Sequence, residues 1–192
     1  MAEKRDNKNF NPFPGLRPFA PEESDLFFGR EGESEEVVGK LLKNKFVTVI
    51  GSSGSGKSSL IYCGVLPKVK KLKTDKDADW RILTFRPGND PFGNLADALS
   101  ESLYASGNER IDRNTILSEL QNNPDGISGA VRNLMLKPDE KVLIVVDQFE
   151  ELFRYSTLGK TDPSLAPAGW FVDFLVDTVD QSTGNIFTII TM

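Results

Sequence analysis

Eight consecutive residues, "GSSGSGKS" from Gly51 to Ser58, combine three glycines, four serines and one lysine. They match G-x-x-x-x-G-K-[ST] at every fixed position, after the apolar run Phe46–Ile50 and before a helical pattern. The chemistry that suits this string is phosphate binding. Glycines let the chain curl so that successive N–H groups point at phosphate oxygens, and the start of the following helix adds a positive dipole end. Lys57 would bring a full charge to the outer phosphates of a nucleotide, and the Ser58 hydroxyl can ligate Mg²⁺. Gly51, Ser52, Ser53, Gly54, Ser55, Gly56, Lys57, Ser58 and the adjoining Ser59 are the candidate phosphate-binding residues. A merely flexible Gly/Ser turn would not need the strand and helix that flank it.

Such a loop needs a second metal ligand. "KVLIVVDQFEELF" offers an apolar strand ending in Asp147, whose carboxylate would complete the Mg²⁺ shell at the strand's C-terminal edge. Glu150 and Glu151 follow within a turn. One could orient the water that attacks the terminal phosphate while the other complements a helix N-terminus. Spacing does not choose between them, and Glu150 is favoured. Gln148 could help place that water, and the reading preferred for it is a plain polar strand-end residue. No histidine is present, so Ser–His nucleophiles and the commonest metal ligand are excluded, and the single cysteine, Cys63, cannot close an internal disulfide. On the same helical stretch, Leu60 and Cys63 read as core packing.

These groups must be held by regular elements. Val37, Val38, Leu41 and Leu42 recur at helical spacing from Gly32 onward. Phe46–Ile50 reads as a buried strand, and a helix from about Ser58 is expected to stop at Pro67. The lysine-rich stretch "KVKKLKTDKDAD" reads as a solvated loop or helix end rather than a nucleic-acid patch. Trp80–Phe85 is the next strand. Asp90-Pro91 starts a helix whose apolar face is Phe92, Leu95, Ala96, Leu99 and Leu103. Helical segments are expected around Asn114–Gln121 and Ile127–Leu136, a strand at Val142–Val146 and a loop at "STLGKTDPSLAPAG". Trp170, Phe171, Phe174, Leu175 and Thr178 mark a last helix before the strand Ile186–Thr191.

Alternation of strand and helix predicts an α/β three-layer sandwich with a mainly parallel sheet. A complete strand–helix unit lies between the loop and Asp147. This points to the P-loop class with a strand inserted between the loop-bearing strand and the metal strand, a class that couples hydrolysis to motion. By that analogy Ile186–Thr191 is the inserted strand, with Thr191 either a sensor near the terminal phosphate or a buried core residue. The proline- and aromatic-rich start, residues 1–32, reads as an extended arm over the core at 33–192. The chain stops at Met192, at the tip of a core strand, which suggests a piece of a longer protein.

Composition agrees with a cytosolic globular domain. The chain has 192 residues, is 39% hydrophobic and 27% charged, and carries a net charge of −5, which disfavours nonspecific nucleic-acid or anionic-membrane binding. No apolar run is long enough to span a bilayer, and the first residues lack the apolar stretch of a signal peptide.

"NPFPGLRPFAPEESDLFFGRE", "GSSGSGKSSLIYCGVLP", "WRILTFRPGNDPFGNLADAL", "VDQFEELF" and "IFTIITM", in this order and over residues 11–192, resemble the novel STAND group of P-loop NTPases, bacterial signal-transduction ATPases related to AAA+ proteins. The resemblance implies adenine nucleotide, ATP or ADP with Mg²⁺, as ligand. It places the Phe28–Glu31 box, with Phe28, Gly29 and Arg30, beside the base and ribose; the residues alone would make Gly29-Arg30 a turn with a surface arginine. "RPG", Arg86 to Gly88, stands at a strand's C-terminal end and reads as a structural turn. Family members switch between a closed ADP state and an open ATP state that often self-associates, and many are thought to act in defence or stress signalling. They carry a helical lid, a winged-helix domain and a repeat sensor after the core. Those parts, the last core strand and an arginine usual just after Met192 lie outside this sequence.

The reading that follows is an ATP-binding, hydrolysing switch core. Two others are a metabolite kinase, which would need an arginine-rich lid that the sequence does not show, and a non-hydrolysing module that keeps nucleotide as structural glue, which turnover measurements would separate from the first.

Overall fold

The computed structural model describes residues 15, 17–72, 80–105, 111–122, 129, 140–158, 166–181 and 185–192. A short 3₁₀ turn at Pro21–Leu26 precedes α1 (Glu31–Asn44), β1 (Phe46–Val49) and α2 (Lys57–Ser59). A π-helical segment at Leu60–Val65 leads into α3 (Leu66–Lys71). Then come β2 (Trp80–Phe85), α4 (Pro91–Ala105), α5 (Arg113–Asn122), β3 (Lys141–Val146), α6 (Glu151–Leu158), α7 (Ala166–Gln181) and β4 (Ile186–Thr191). The four strands form one all-parallel sheet in the order β1-β4-β3-β2. β4 therefore lies between the strand that leads into the glycine loop and the strand that ends at Asp147, the inserted position expected from the sequence.

A parallel sheet buried on both faces needs a nearly continuous apolar run, and Val142–Val146 of β3 and Ile186, Phe187, Ile189 and Ile190 of β4 supply it. Successive side chains then part to opposite faces. Val142, Ile144, Val146, Ile186 and Ile190 join Leu95, Leu99, Ile116, Phe171 and Leu175 in one core layer with α4, α5 and α7. Leu143, Val145, Phe187 and Ile189 join Val37, Leu41, Ile61, Val65 and Val69 in the other, with α1 and the helix behind the loop. The result is a three-layer sandwich. α4 begins as its sequence suggests, with the Asp90 carboxylate accepting from the Gly93 N–H at 3.1 Å and proline in the first helical position.

Three local expectations differ from what forms. Pro67 does not end the helix, which continues to Lys71. Proline clashes with the carbonyl four residues back and lacks an N–H. Here the turns before it are wound to π geometry, with the Leu66 N–H bonded to the Ile61 carbonyl, and this wider winding admits the ring. The arm is not wholly extended, since its proline and acidic residues make the 3₁₀ turn, and α1 starts at Glu31 rather than Gly32. Part of the expected loop after β3 is helical, because α6 runs to Leu158 and α7 begins at Ala166. The segment expected to be helical at Ile127–Leu136, and most of the lysine-rich connection, lie outside the described residues apart from residues 68–72 and 129.

The arm lies over the core as expected. The Phe19 N–H donates to Ser59 Oγ at 3.1 Å and the Cys63 thiol to the Ala20 carbonyl at 3.2 Å. Arg17 pairs with Glu23 at 2.6 Å, and Glu23 accepts from the Ala20 N–H at 2.8 Å. The Arg17 guanidinium holds the Glu23 carboxyl down to about 2. Among the described residues no helix is long and apolar enough to cross a membrane.

Candidate functional site

The loop between β1 and α2 curls because Gly54 and Gly56 adopt φ of 77° and 80°, a region closed to most side chains. Left-handed residues alternating with ordinary ones turn successive N–H groups toward one side, the geometry of an anion nest. Residues 51–55 are exposed. Lys57 folds back over the loop and donates to the carbonyls of Gly51 and Ser52 at 2.7 and 3.0 Å, which holds its ammonium at the loop's mouth. The loop's base is tied to the sheet, the Gly51 N–H bonding the Met192 carbonyl at 3.0 Å.

Strand register assembles the other half. Phe85, Val146 and Ile190 stand in line across β2, β3 and β4, so the next residues, Arg86, Asp147 and Thr191, emerge side by side at the strands' C-terminal ends. Asp147 is 1% exposed. Its Oδ1 accepts from Ser58 Oγ at 2.8 Å and from Thr191 Oγ1 at 2.6 Å. Its Oδ2 accepts from the Tyr62 phenol at 3.2 Å and lies 3.6 Å from Arg86 Nε. Burial, and then the charge of Asp147, push the Tyr62 phenol well above its ordinary value, so it stays a proton donor. Thr191 also accepts the Gln148 N–H at 3.0 Å. Gln148 itself sits at φ 55°, a sparsely populated conformation for a non-glycine residue that turns the chain sharply out of β3.

The two glutamates differ. Glu151 is engaged: the Gln148 amide, oriented to satisfy both neighbours, donates to Glu151 Oε1 at 2.7 Å and accepts from Arg86 Nη2 at 3.2 Å. Glu150 Oε2 is buried and has no hydrogen-bond partner among the described residues. The arm contributes Arg30, whose Nη1 donates to the Ser55 carbonyl at 2.9 Å while its other nitrogens hold Glu33. The Gly29 N–H donates to Glu31 Oε1 at 3.0 Å, and Phe28 is 76% exposed. Between the arm, α1 and the helix behind the loop lies a cleft of about 210 Å³, bordered by Phe27, Arg30, Ser34, Cys63 and Lys68.

The fold thus brings Ser58, Asp147 and Thr191 into one hydrogen-bonded cluster and sets Arg30 on the loop from the other side. Ser59, counted with the loop on sequence grounds, turns its hydroxyl to the arm instead. Leu60 and Cys63 are buried, as core packing requires. Two residues at the site carried no functional reading. Tyr62 looks like one more helix position, although its place one turn after Ser58 puts it on the same face. Arg86 reads as part of a turn, and only strand register sets it beside Asp147.

The donor set suits a hard divalent cation held jointly with a nucleotide. Hydroxyl and carboxylate oxygens from Ser58 and Asp147 meet at hydrogen-bond distance, and a Mg²⁺ site of this kind takes one or two protein oxygens plus phosphates and water. Among the described residues no cluster of three or more acidic or cysteine side chains could cage a metal without such a partner.

No curated protein sequence matches the chain significantly. A solved structure of the Aeropyrum pernix ORC2 protein, described as ADPNP-ADP complexes, superposes with a TM-score of 0.54 at 17% identity over 86% of this chain, a likeness of fold. The chain spans 41% of that structure's length. The family model described as Novel STAND NTPase 1 matches residues 12–192. Loop, aspartate strand and inserted strand all fall inside that match: the chain belongs to the Novel STAND NTPase 1 family and is an NTPase-type core.

Proposed function

We propose that this chain is the Mg²⁺-dependent, ATP-binding and ATP-hydrolysing core of a signal-transduction switch, whose nucleotide state governs conformation and self-association. Family resemblance suggests bacterial defence or stress signalling in the cytosol as the setting. The observation that carries the reading is Asp147: buried, and hydrogen-bonded at once to the loop residue Ser58 and the inserted-strand residue Thr191. Three distant stretches of sequence meet where a nucleotide-bound cation would be shared.

Each residue then has a task. The loop amides from Gly51 to Ser59 and the Lys57 ammonium hold the phosphates; Ser58 and Asp147 hold Mg²⁺, which when bound offsets charge on the outer phosphates. Thr191 donates to Asp147 and would respond to the terminal phosphate. Glu150, with its unpartnered buried oxygen, is the group proposed to orient and deprotonate the attacking water, while Glu151 is occupied by Gln148. Phe28, Gly29 and Arg30 would border the adenosine, Arg30 through its grip on Ser55.

The test separates binding from turnover. Lys57→Ala should abolish binding of a fluorescent ATP analogue. Glu150→Gln should bind within about threefold of the parent yet lose roughly 100-fold or more in phosphate release, the usual weight of a general base. A Lys57→Ala protein that binds as tightly as the parent would mean that the loop is not the nucleotide site.

A further inference from the structure

The residue beside Asp147 that the scheme above leaves idle is Arg86. It follows the last residue of β2 and precedes Pro87, whose ring fixes the chain's exit from the strand. The Asn94 amide donates to the carbonyls of Arg86 and Pro87 at 3.1 and 3.0 Å and pins that turn to α4. The backbone at Arg86 is therefore set, while its side chain is 48% exposed. One edge of the guanidinium faces Asp147, Nε lying 3.6 Å from Oδ2, and Nη2 reaches the Gln148 amide oxygen at 3.2 Å. Among the described residues Nη1 has no protein partner. Arg86 is thus a cation with its backbone anchored, its fork incompletely used and its position adjoining the metal-sharing carboxylate.

On the strength of the nucleotide-switch reading above, we propose that Arg86 is a specificity-determining residue that distinguishes a nucleoside triphosphate from a diphosphate by binding the terminal phosphate. Ser58 and Asp147 would hold the nucleotide's cation, which offsets charge on the outer phosphates, and the outermost phosphate would then lie within reach of the neighbours of Asp147. A guanidinium is suited to that anion because its planar fork can give two parallel N–H bonds, which an ammonium cannot. Of the other cations near the loop, Lys57 serves the phosphates from the loop side and Arg30 is committed to Ser55 and Glu33, so Arg86 is the cation that stands beside Asp147. Through Gln148 the same guanidinium is linked to Glu151 at the start of α6, so the presence of a third phosphate would be felt where that helix leaves the sheet.

The experiment titrates the parent chain, Arg86→Gln and Arg86→Lys with Mg·ADP and with a slowly hydrolysed Mg·ATP analogue, by calorimetry. For Arg86→Gln the ATP analogue should bind roughly 10- to 100-fold more weakly, the loss expected for a charge-assisted fork, while ADP moves less than about twofold. Arg86→Lys should recover part of the loss. Unchanged ADP binding also shows that the variant is folded. Equal losses for both nucleotides would mean that Arg86 serves only to hold Asp147, and that result overturns the proposal, as does an unchanged ATP-to-ADP ratio. If the parent bound neither nucleotide, the nucleotide-switch reading itself would fall; a parent that binds both with an unaltered ratio in the variants sinks only the role of Arg86.

Discussion

At the residue scale, what a side chain can do here is set by whether its partners are buried with it. Asp147 is buried together with its partners: hydroxyls from Ser58, Thr191 and Tyr62 donate to its oxygens and the Arg86 guanidinium stands beside it. The buried Cys63 thiol is a group held neutral. Burial first, and then the charges of Glu23 and Glu22, push its thiol from 9.0 up to about 11. Because this pKa is raised in the folded state, the stabilising difference is fully present below about 9 and is lost as pH climbs from there through about 11. Alkylation of the native protein by iodoacetamide should therefore stay slow until pH nears 11, whereas the protein in urea should show an ordinary thiol midpoint. A native rate that rises with the same midpoint as the unfolded one would contradict the buried, Ala20-bonded thiol.

At the element scale, the helix behind the loop serves two neighbours. Its first turn follows the glycine loop, and its π segment carries Gly64 against α1. An alanine Cβ at Gly64 would lie 2.2 Å from Ser34 Oγ and 3.2 Å from Ser34 Cβ. That hydroxyl donates to the Arg30 carbonyl at 2.8 Å, so it cannot turn away without losing its bond. Gly64→Ala should therefore destabilise the protein by about 1–3 kcal/mol in urea melts, despite alanine's better helix propensity, and Ser34→Gly should relieve part of it. β4 offers the reverse experiment. Thr188 is fully buried and its Oγ1 has no hydrogen-bond partner among the described residues. Thr188→Val keeps the shape and removes the unpaired hydroxyl, so it should raise stability by about 1 kcal/mol. A loss of stability would show that the hydroxyl has a partner after all.

At the scale of the whole molecule, the arm and the sheet close on the same helix from two sides. Leu60, Ile61 and Val65 pack inward, while Ser59 and Cys63 reach the arm. Ser59→Ala removes the acceptor for the Phe19 N–H. It should cost about 0.5–1.5 kcal/mol and speed hydrogen exchange at that amide while leaving exchange in β3 and β4 unchanged. Uniformly faster exchange throughout would mean that the arm and core do not open separately. The arm also carries Arg30 to the Ser55 carbonyl, so loosening it should slacken the loop.

By itself the sequence determined the α/β class, the four strands and the loop–aspartate pair, because these rest on local patterns: apolar runs, helical periodicity, a glycine string and a capped proline start. Even the inserted strand could be anticipated, by analogy with the P-loop class that a strand–helix unit between the loop and Asp147 suggests. Tertiary structure alone decided which neighbours each strand end would have. Register across three strands, a relation among residues more than forty positions apart, put Arg86 and Thr191 on either side of Asp147. It also decided that Pro67 could sit inside a helix, that Ser59 would serve the arm, and that Glu151 rather than Glu150 would be tied to Gln148. Local patterns record what a segment does with its own backbone; they hold no information on the distances created when separate segments bury a common core.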